Sequence, residues 1–278
     1  MIGRAALVLA FAAVLAAAQP AHAGFLESVP GQVVDLPTRP GVTVRFAAFA
    51  PDQAPKAVAI LFVGGQGVLN IPSEVGPTWG RSGNFLVRIR ENLRRRGFYI
   101  AIPDAPSDHL HGLGNYRTTE GHAEDIAALI AEVRRRAPGV PVWLIGTSMG
   151  TISAADGASR LQGARGPDGV VLTSSVSRTN PNPRANTNIN VFDNDFSAIR
   201  VPTLITYHRG DACEVVSPGD GPRMISKLEN APRKEVLMFD GGDPPASTPC
   251  EALAQHGYYG IEGQVADAIA DWILAAKH

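Results

Sequence analysis

Short, uninterrupted apolar runs alternate with segments of helical periodicity along most of this chain, and that alternation leaves few folds open. Ala57 to Val63 (AVAILFV) carries no polar residue and stops at Gly64-Gly65. A strand with one wet face alternates polar and apolar side chains. A run that is apolar throughout is buried on both faces, as in a parallel sheet covered by helices. Phe98 to Pro103, Val140 to Ile145, Gly169 to Thr173, Pro202 to Tyr207 and Lys234 to Phe239 repeat the pattern, with turn residues between them. Phe85, Ile89 and Leu93 recur at helical spacing ahead of Gly97, and Ile126, Leu129, Ile130 and Val133 mark a helix halted at Pro138-Gly139. A short helix near Met224 to Leu228 and an amphipathic one through Ile261, Val265, Ile269, Trp272 and Ile273 complete the series. Gln32 to Ala50, broken at Pro40-Gly41, has the pattern of an opening hairpin. The expectation is one α/β domain with a mostly parallel sheet flanked by helices, without internal repeat or linker. Ser177 to Phe196, rich in Asn and Pro, is too long for a plain connection and is expected to lie over the site as a loop or small lid.

The amino terminus has the pattern of an address. Arg4 supplies a positive start, Ala5 to Ala18 is apolar, and Ala21-His22-Ala23 offers the small residues that a signal peptidase reads. Residues 1–23 are therefore expected to be a signal peptide cleaved before Gly24, giving a periplasmic or secreted protein. No other segment approaches membrane-spanning length. Lys and Arg number 25 against 26 Asp and Glu, with no basic run. A nucleic-acid partner thus has no electrostatic support. Export makes Cys213 and Cys250, the only two cysteines, a candidate disulfide, the alternative being two unrelated buried thiols. Closing a loop of about 38 residues stabilises a fold by roughly 4 kcal/mol on the chain-entropy account.

The chemistry falls at strand ends. Gly146-Thr147-Ser148-Met149-Gly150 fits G-x-S-x-G, directly follows an apolar strand, and opens a small-residue segment able to form a helix. A serine hydroxyl needs a base to take its proton, and the base needs an orienting acid. Of the histidines after Ser148, His278 ends the chain, and His208 leaves none beyond it for the order serine, acid, histidine. His256, in the loop before the last helix, is the candidate base. Asp211, after the Pro202 to Tyr207 strand, is the favoured acid, with Asp193, Asp195 and Asp240 as alternatives. A Cys213–Cys250 bridge would tie the acid loop to the base loop. Donors for an oxyanion are expected at the Met149 N–H and in Gly64-Gly65-Gln66-Gly67, from Gln66 or its neighbour Gly65. That glycine loop does not fit G-x-G-x-x-G, and no G-K-[ST] follows it, so nucleotide binding is discounted. Asp108, His109, His111 and, further on, His122 have the look of metal ligands but lack the remaining ligands at a defined spacing. They are expected at the same rim as polar or substrate contacts, and no cofactor or metal is expected.

The order of strand, Gly-Gly loop, G-T-S-M-G turn, late Asp and late His resembles the α/β-hydrolase superfamily across nearly all of residues 24–278. His208-Arg209-Gly210-Asp211-Ala212-Cys213 and His256-Gly257-Tyr258-Tyr259-Gly260-Ile261-Glu262 are similar to a group of exported bacterial members. The resemblance implies an eight-stranded, mostly parallel sheet and a Ser148/His256/Asp211 triad. One departure is that many members place the acid three residues after a glycine, whereas here Gly210 immediately precedes Asp211. The expected activity is hydrolysis of a small-molecule carboxylic ester, thioester or amide through an acyl-enzyme on Ser148. An acyltransferase with the same triad and a non-catalytic binding protein on the same fold are the alternatives. Trp79, Phe85, Tyr258 and Tyr259 are candidates both for an apolar pocket and for the core.

Overall fold

The computed structural model describes residues 28–80, 83–180 and 188–275. The expected signal peptide, residues 1–23, lies outside them, as do residues 181–187 of the Asn/Pro-rich stretch. Strands β1 (Gln32–Arg39) and β2 (Val42–Phe49) form the opening hairpin. Then come β3 (Ala57–Phe62), helices α1 (Phe85–Arg88) and α2 (Arg90–Arg95), and β4 (Phe98–Pro103). Helix α3 (Glu120–Arg136) leads to β5 (Val142–Thr147), α4 (Gly150–Arg160) and β6 (Gly169–Thr173). The chain closes with β7 (Thr203–His208), α5 (Gly221–Lys227), β8 (Lys234–Phe239) and α6 (Glu262–Leu274).

These make one eight-stranded sheet in the order β1-β2-β4-β3-β5-β6-β7-β8. The pairs β1/β2 and β2/β4 are antiparallel, and every other pair is parallel. Five strands (β3 to β7) are buried at every position, as their unbroken apolar character requires. Strand alternation sends Val142 and Leu144 to one apolar layer, against α3 and α4. Trp143 and Ile145 go to the other, where Val265, Ile269 and Trp272 of α6 meet them. The helix expected from Phe85 to Gly97 is broken at Ile89 into α1 and α2. The strand expected from Val140 begins at Val142, because Pro141 has no N–H to give the ladder. After β3 the chain moves left to β4 and then right to β5, so the order reverses between β3 and β5. Crevices for ligands open at the carboxyl ends of such a switch point.

Candidate active site

A cavity of about 520 Å³ lies at that switch point, a volume suited to a small organic ligand. Its wall includes Gly64 and Gly65 after β3, Thr147, Ser148 and Met149 at the end of β5, and His256 from the loop before α6.

Ser148 sits at φ +52°, a left-handed backbone that costs an ordinary residue about 1–3 kcal/mol and persists only when its surroundings over-determine it. They do so here. The Ser148 N–H donates to the Thr173 carbonyl at 3.0 Å. Its carbonyl accepts from the Thr151 N–H at 3.0 Å and the Thr151 hydroxyl at 2.6 Å. The flanking glycines are steric requirements. A Cβ on Gly146 would lie 2.4 Å from the Gly150 carbonyl oxygen, and one on Gly150 would lie 2.0 Å from that of Phe62. Only without them can α4 turn back against β3 and β5. The Met149 N–H, at the head of α4, donates to no acceptor among the described residues, and the helix dipole there favours negative charge.

His256 Nδ1 donates to Asp211 Oδ2 at 2.9 Å, and Asp211 Oδ1 accepts from the Cys213 N–H at 3.0 Å. The two side chains are 5% and 0% exposed. His256 Nε2 is buried and has no hydrogen-bond partner among the described residues. It shares its cavity with Ser148, although Ser148 Oγ does not bond it. Such contacts are commonly loose without substrate and tighten when it binds. The loop carrying His256 is fixed from three sides. The Ser174 hydroxyl donates to the His256 carbonyl at 2.9 Å. The buried Arg88 guanidinium holds the carbonyls of Ala252 and Gly257 at 2.9 and 2.8 Å, and pairs with Glu262 at 2.8 Å. Tyr258, at φ +55°, shares a 2.8 Å hydrogen bond with Thr206 of β7. The Cys213–Cys250 disulfide joins the acid loop to the segment before His256, with the Cα atoms 4.5 Å apart.

The other acid candidates are engaged elsewhere. Asp193 closes a capping box with Asn190, Asp195 accepts from the Ser197 N–H, and Asp240 pairs with Arg209 on the surface. His208 bonds the Gly241 carbonyl and accepts from the Gly210 N–H. Gly65 lines the cavity, whereas Gln66 is absent from its wall. The Gln66 carbonyl accepts from the Leu113 N–H at 2.9 Å, and its side chain lies beside Gly112. Of the four aromatic candidates only Phe85 reaches the cavity. Tyr258 is fully buried against Phe85 and Phe239, and Trp79 stacks near Arg90.

The rim residues with metal-ligand character do not converge. Asp108 pairs with Arg39 at 3.0 Å and with His109 at 2.9 Å. His109 stacks on Tyr116 at 3.7 Å between ring centres, and His111 is exposed. His122 is buried in α3, both ring nitrogens unpartnered, and burial pushes its pKa down to about 3.

Sequence reasoning missed Asn84, Arg88 and Ser174 as site residues, and also Glu214 and Glu251. Asn84 Oδ1 caps α1 through the Leu86 N–H, and its Nδ2 faces Gly64. Glu214 and Glu251 each follow a disulfide cysteine and line the cavity. A helix-cap pattern at Asn84 was readable, but its meeting with the serine turn was not.

No protein-family model and no curated protein sequence matches the chain. Solved structures do. A serine hydrolase without a lid from Xanthomonas campestris covers 89% of this chain, and 97% of its own length is matched, at TM-score 0.57 and 15% identity. The esterase Pf2001 of Pyrococcus furiosus aligns at TM-score 0.60 and 14% identity, covering 87% of this chain and 89% of its own. Est1E of Butyrivibrio proteoclasticus aligns at TM-score 0.59 and 12% identity, covering 87% and 98%.

Proposed function

On the premise of the α/β-hydrolase fold, which this chain has, we propose that it is a serine hydrolase that cleaves a small carboxylic ester. The observation that carries this is a buried imidazole held by a buried carboxylate, with its other nitrogen unpartnered in a cavity shared with a backbone-strained serine. Ser148 Oγ attacks the acyl carbon while His256 Nε2 takes the hydroxyl proton. Asp211 keeps the second proton on Nδ1 and stabilises the imidazolium that forms. The oxyanion of the tetrahedral intermediate accepts from the Met149 N–H and, in our assignment, the Gly65 N–H. Gly65 is preferred to Gln66 because it lines the cavity and its N–H donates to no acceptor among the described residues. A Cβ on Gly64 would lie 2.9 Å from Ser148 Cβ, so the peptide carrying that N–H passes hard against the nucleophile. Collapse expels the alcohol, which leaves with the proton from His256. Water then repeats the sequence and frees the acid.

The acyl and leaving groups meet Phe85, Val176, Ile189 and Val215 on the apolar side of the wall, and the Ser177 to Phe196 stretch contributes through Asn180 and Ile189. Export through residues 1–23 is part of the same reading, and the disulfide is compatible with it, because such bridges form and persist chiefly in oxidising compartments. No helix among the described residues is long and apolar enough to cross a membrane. The test is labelling with a fluorophosphonate, together with turnover of short p-nitrophenyl esters. Stoichiometric labelling that disappears in Ser148→Ala and His256→Ala is expected. A folded, oxidised wild type that neither labels nor turns over any ester overturns the reading in favour of a binding protein.

A further inference from the structure

Arg117 is 1% exposed and lies between α3 and the loop after β3. Burial pulls its pKa down to about 9, so it is charged at neutral pH. No carboxylate bonds it among the described residues. One arm, Nη1, donates to the Ser153 hydroxyl in α4 at 2.7 Å, and the other, Nη2, donates to the Gly65 carbonyl at 3.1 Å. These are charge-assisted bonds, stronger than neutral ones and fixed in direction by the planar fork. An uncompensated buried cation is costly, so its two acceptors are informative. Gly65 carries the oxyanion donor assigned to the loop, and Ser153 sits one turn into the helix whose head carries the other, Met149. The rest of the loop is built around the same group. A Cβ on Gly67 would lie 2.7 Å from Arg117 Nη2 and 2.6 Å from Leu113, so residue 67 has no side chain to spare. Leu113, four residues before Arg117, holds the next carbonyl, that of Gln66, at 2.9 Å.

We propose that Arg117 is a positioning residue that bridges the Gly65 loop and α4, and so sets the spacing between the two N–H groups that receive the oxyanion. The role rests on the serine-hydrolase reading and adds to it a group outside the triad. Gly65 is a left-handed glycine at φ +58°, able to rotate both its peptides at little cost. The Gly65 carbonyl, once held by the guanidinium, removes that freedom and aims the Gly65 N–H. Donors aimed in advance are what stabilise charge that appears only in the transition state.

Arg117→Ala, Arg117→Lys and Ser153→Ala are compared with wild type on p-nitrophenyl acetate. They are also compared for inhibition by a trifluoromethyl ketone, whose serine adduct carries an oxyanion. Arg117→Ala is expected to lower kcat about 30- to 100-fold, somewhat less than outright loss of one donor, with KM changed less than threefold. The ketone inhibition constant should rise by the same factor. Ser153→Ala, which removes one arm and no charge, should fall about five- to tenfold, and Arg117→Lys should recover part of the loss. Folded Arg117→Ala or Ser153→Ala enzymes with kcat within twofold of wild type, in a wild type that labels normally, overturn this proposal alone. So does a loss of kcat without a parallel rise in the ketone constant. If Arg117→Ala does not fold, Ser153→Ala decides. A wild type that neither labels nor turns over overturns both this role and the hydrolase reading.

Discussion

Two groups of chemistry-bearing residues stand at the same edge of the sheet, and only one of them gathers about a shared cavity among the described residues. Ser148, at the end of β5, and His256, in the loop before α6, line one cavity, and the buried Asp211 beyond β7 holds His256 Nδ1. Just beyond β4, Asp108, His109 and His111 are near neighbours in sequence, with His122 soon after, and the fold disperses them. Asp108 is neutralised by Arg39, His109 lies flat on Tyr116, and His122 turns into the core beside Phe62. The first group has buried partners fixed by hydrogen bonds, a bridge between its loops and one polar atom without a partner. The second has its polar atoms paired in the open or buried without a cavity shared among them. Nearness along the chain places side chains on a common loop. It does not aim them, because a short loop over a sheet edge presents successive residues in different directions, whereas parallel strands end side by side and aim their loops at one crevice.

Ser148→Ala or His256→Ala sets the upper bound on the contrast, with ester kcat/KM expected to fall about 10⁴-fold or more as the nucleophile or its base is lost. Asp211→Asn preserves the shape but stabilises the wrong imidazole tautomer, and a fall of about 10⁴-fold is expected in the same assay. Retention of a tenth of wild-type activity in either case would break the contrast. The paired Cys213→Ser/Cys250→Ser variant should lose about 2–4 kcal/mol of stability by denaturant titration, and its kcat should fall as the Asp211 and His256 loops separate. On the dispersed side, His122 offers a pH signature. Its pKa is about 3 when folded and near 6.5 unfolded, so the unfolded chain binds the extra proton between those values. His122 therefore costs no stability above about pH 6.5 and destabilises progressively as pH falls towards 3, with a slope of at most about 1.4 kcal/mol per pH unit. His122→Leu should flatten that part of a melting-temperature profile and leave ester turnover nearly unchanged. The smallest effects belong to Asp108→Asn and His111→Ala. The Asp108 pairs are solvent-accessible and contribute about 0–1 kcal/mol, His111 is an exposed side chain, and turnover is expected to stay within twofold. A larger loss would mean that the second group faces substrate.

Much of this was open to a reading of residues. Ala57–Phe62 and Val142–Thr147 could be taken as buried parallel strands because an unbroken apolar run has no wet face to offer. The serine turn was legible for a steric reason, since glycines at 146 and 150 are demanded by atoms 2.0 to 2.4 Å from where a Cβ would stand. Ordering serine, acid and histidine along the chain narrowed the base to His256. Chain order alone did not separate Asp211 from Asp193, Asp195 or Asp240, all of which lie between Ser148 and His256 in segments that follow strands.

Local pattern thus determined the strands, the helices and the tight turn, because backbone sterics and hydrophobic periodicity act over a few residues. The tertiary structure decided which carboxylate meets His256, which histidines are drawn inward, and that Arg117, Arg88 and Ser174 hold the loops around the cavity. Those contacts join residues 36 to 169 positions apart. Their directions depend on how strands and loops pack together, and no short window of sequence contains that information.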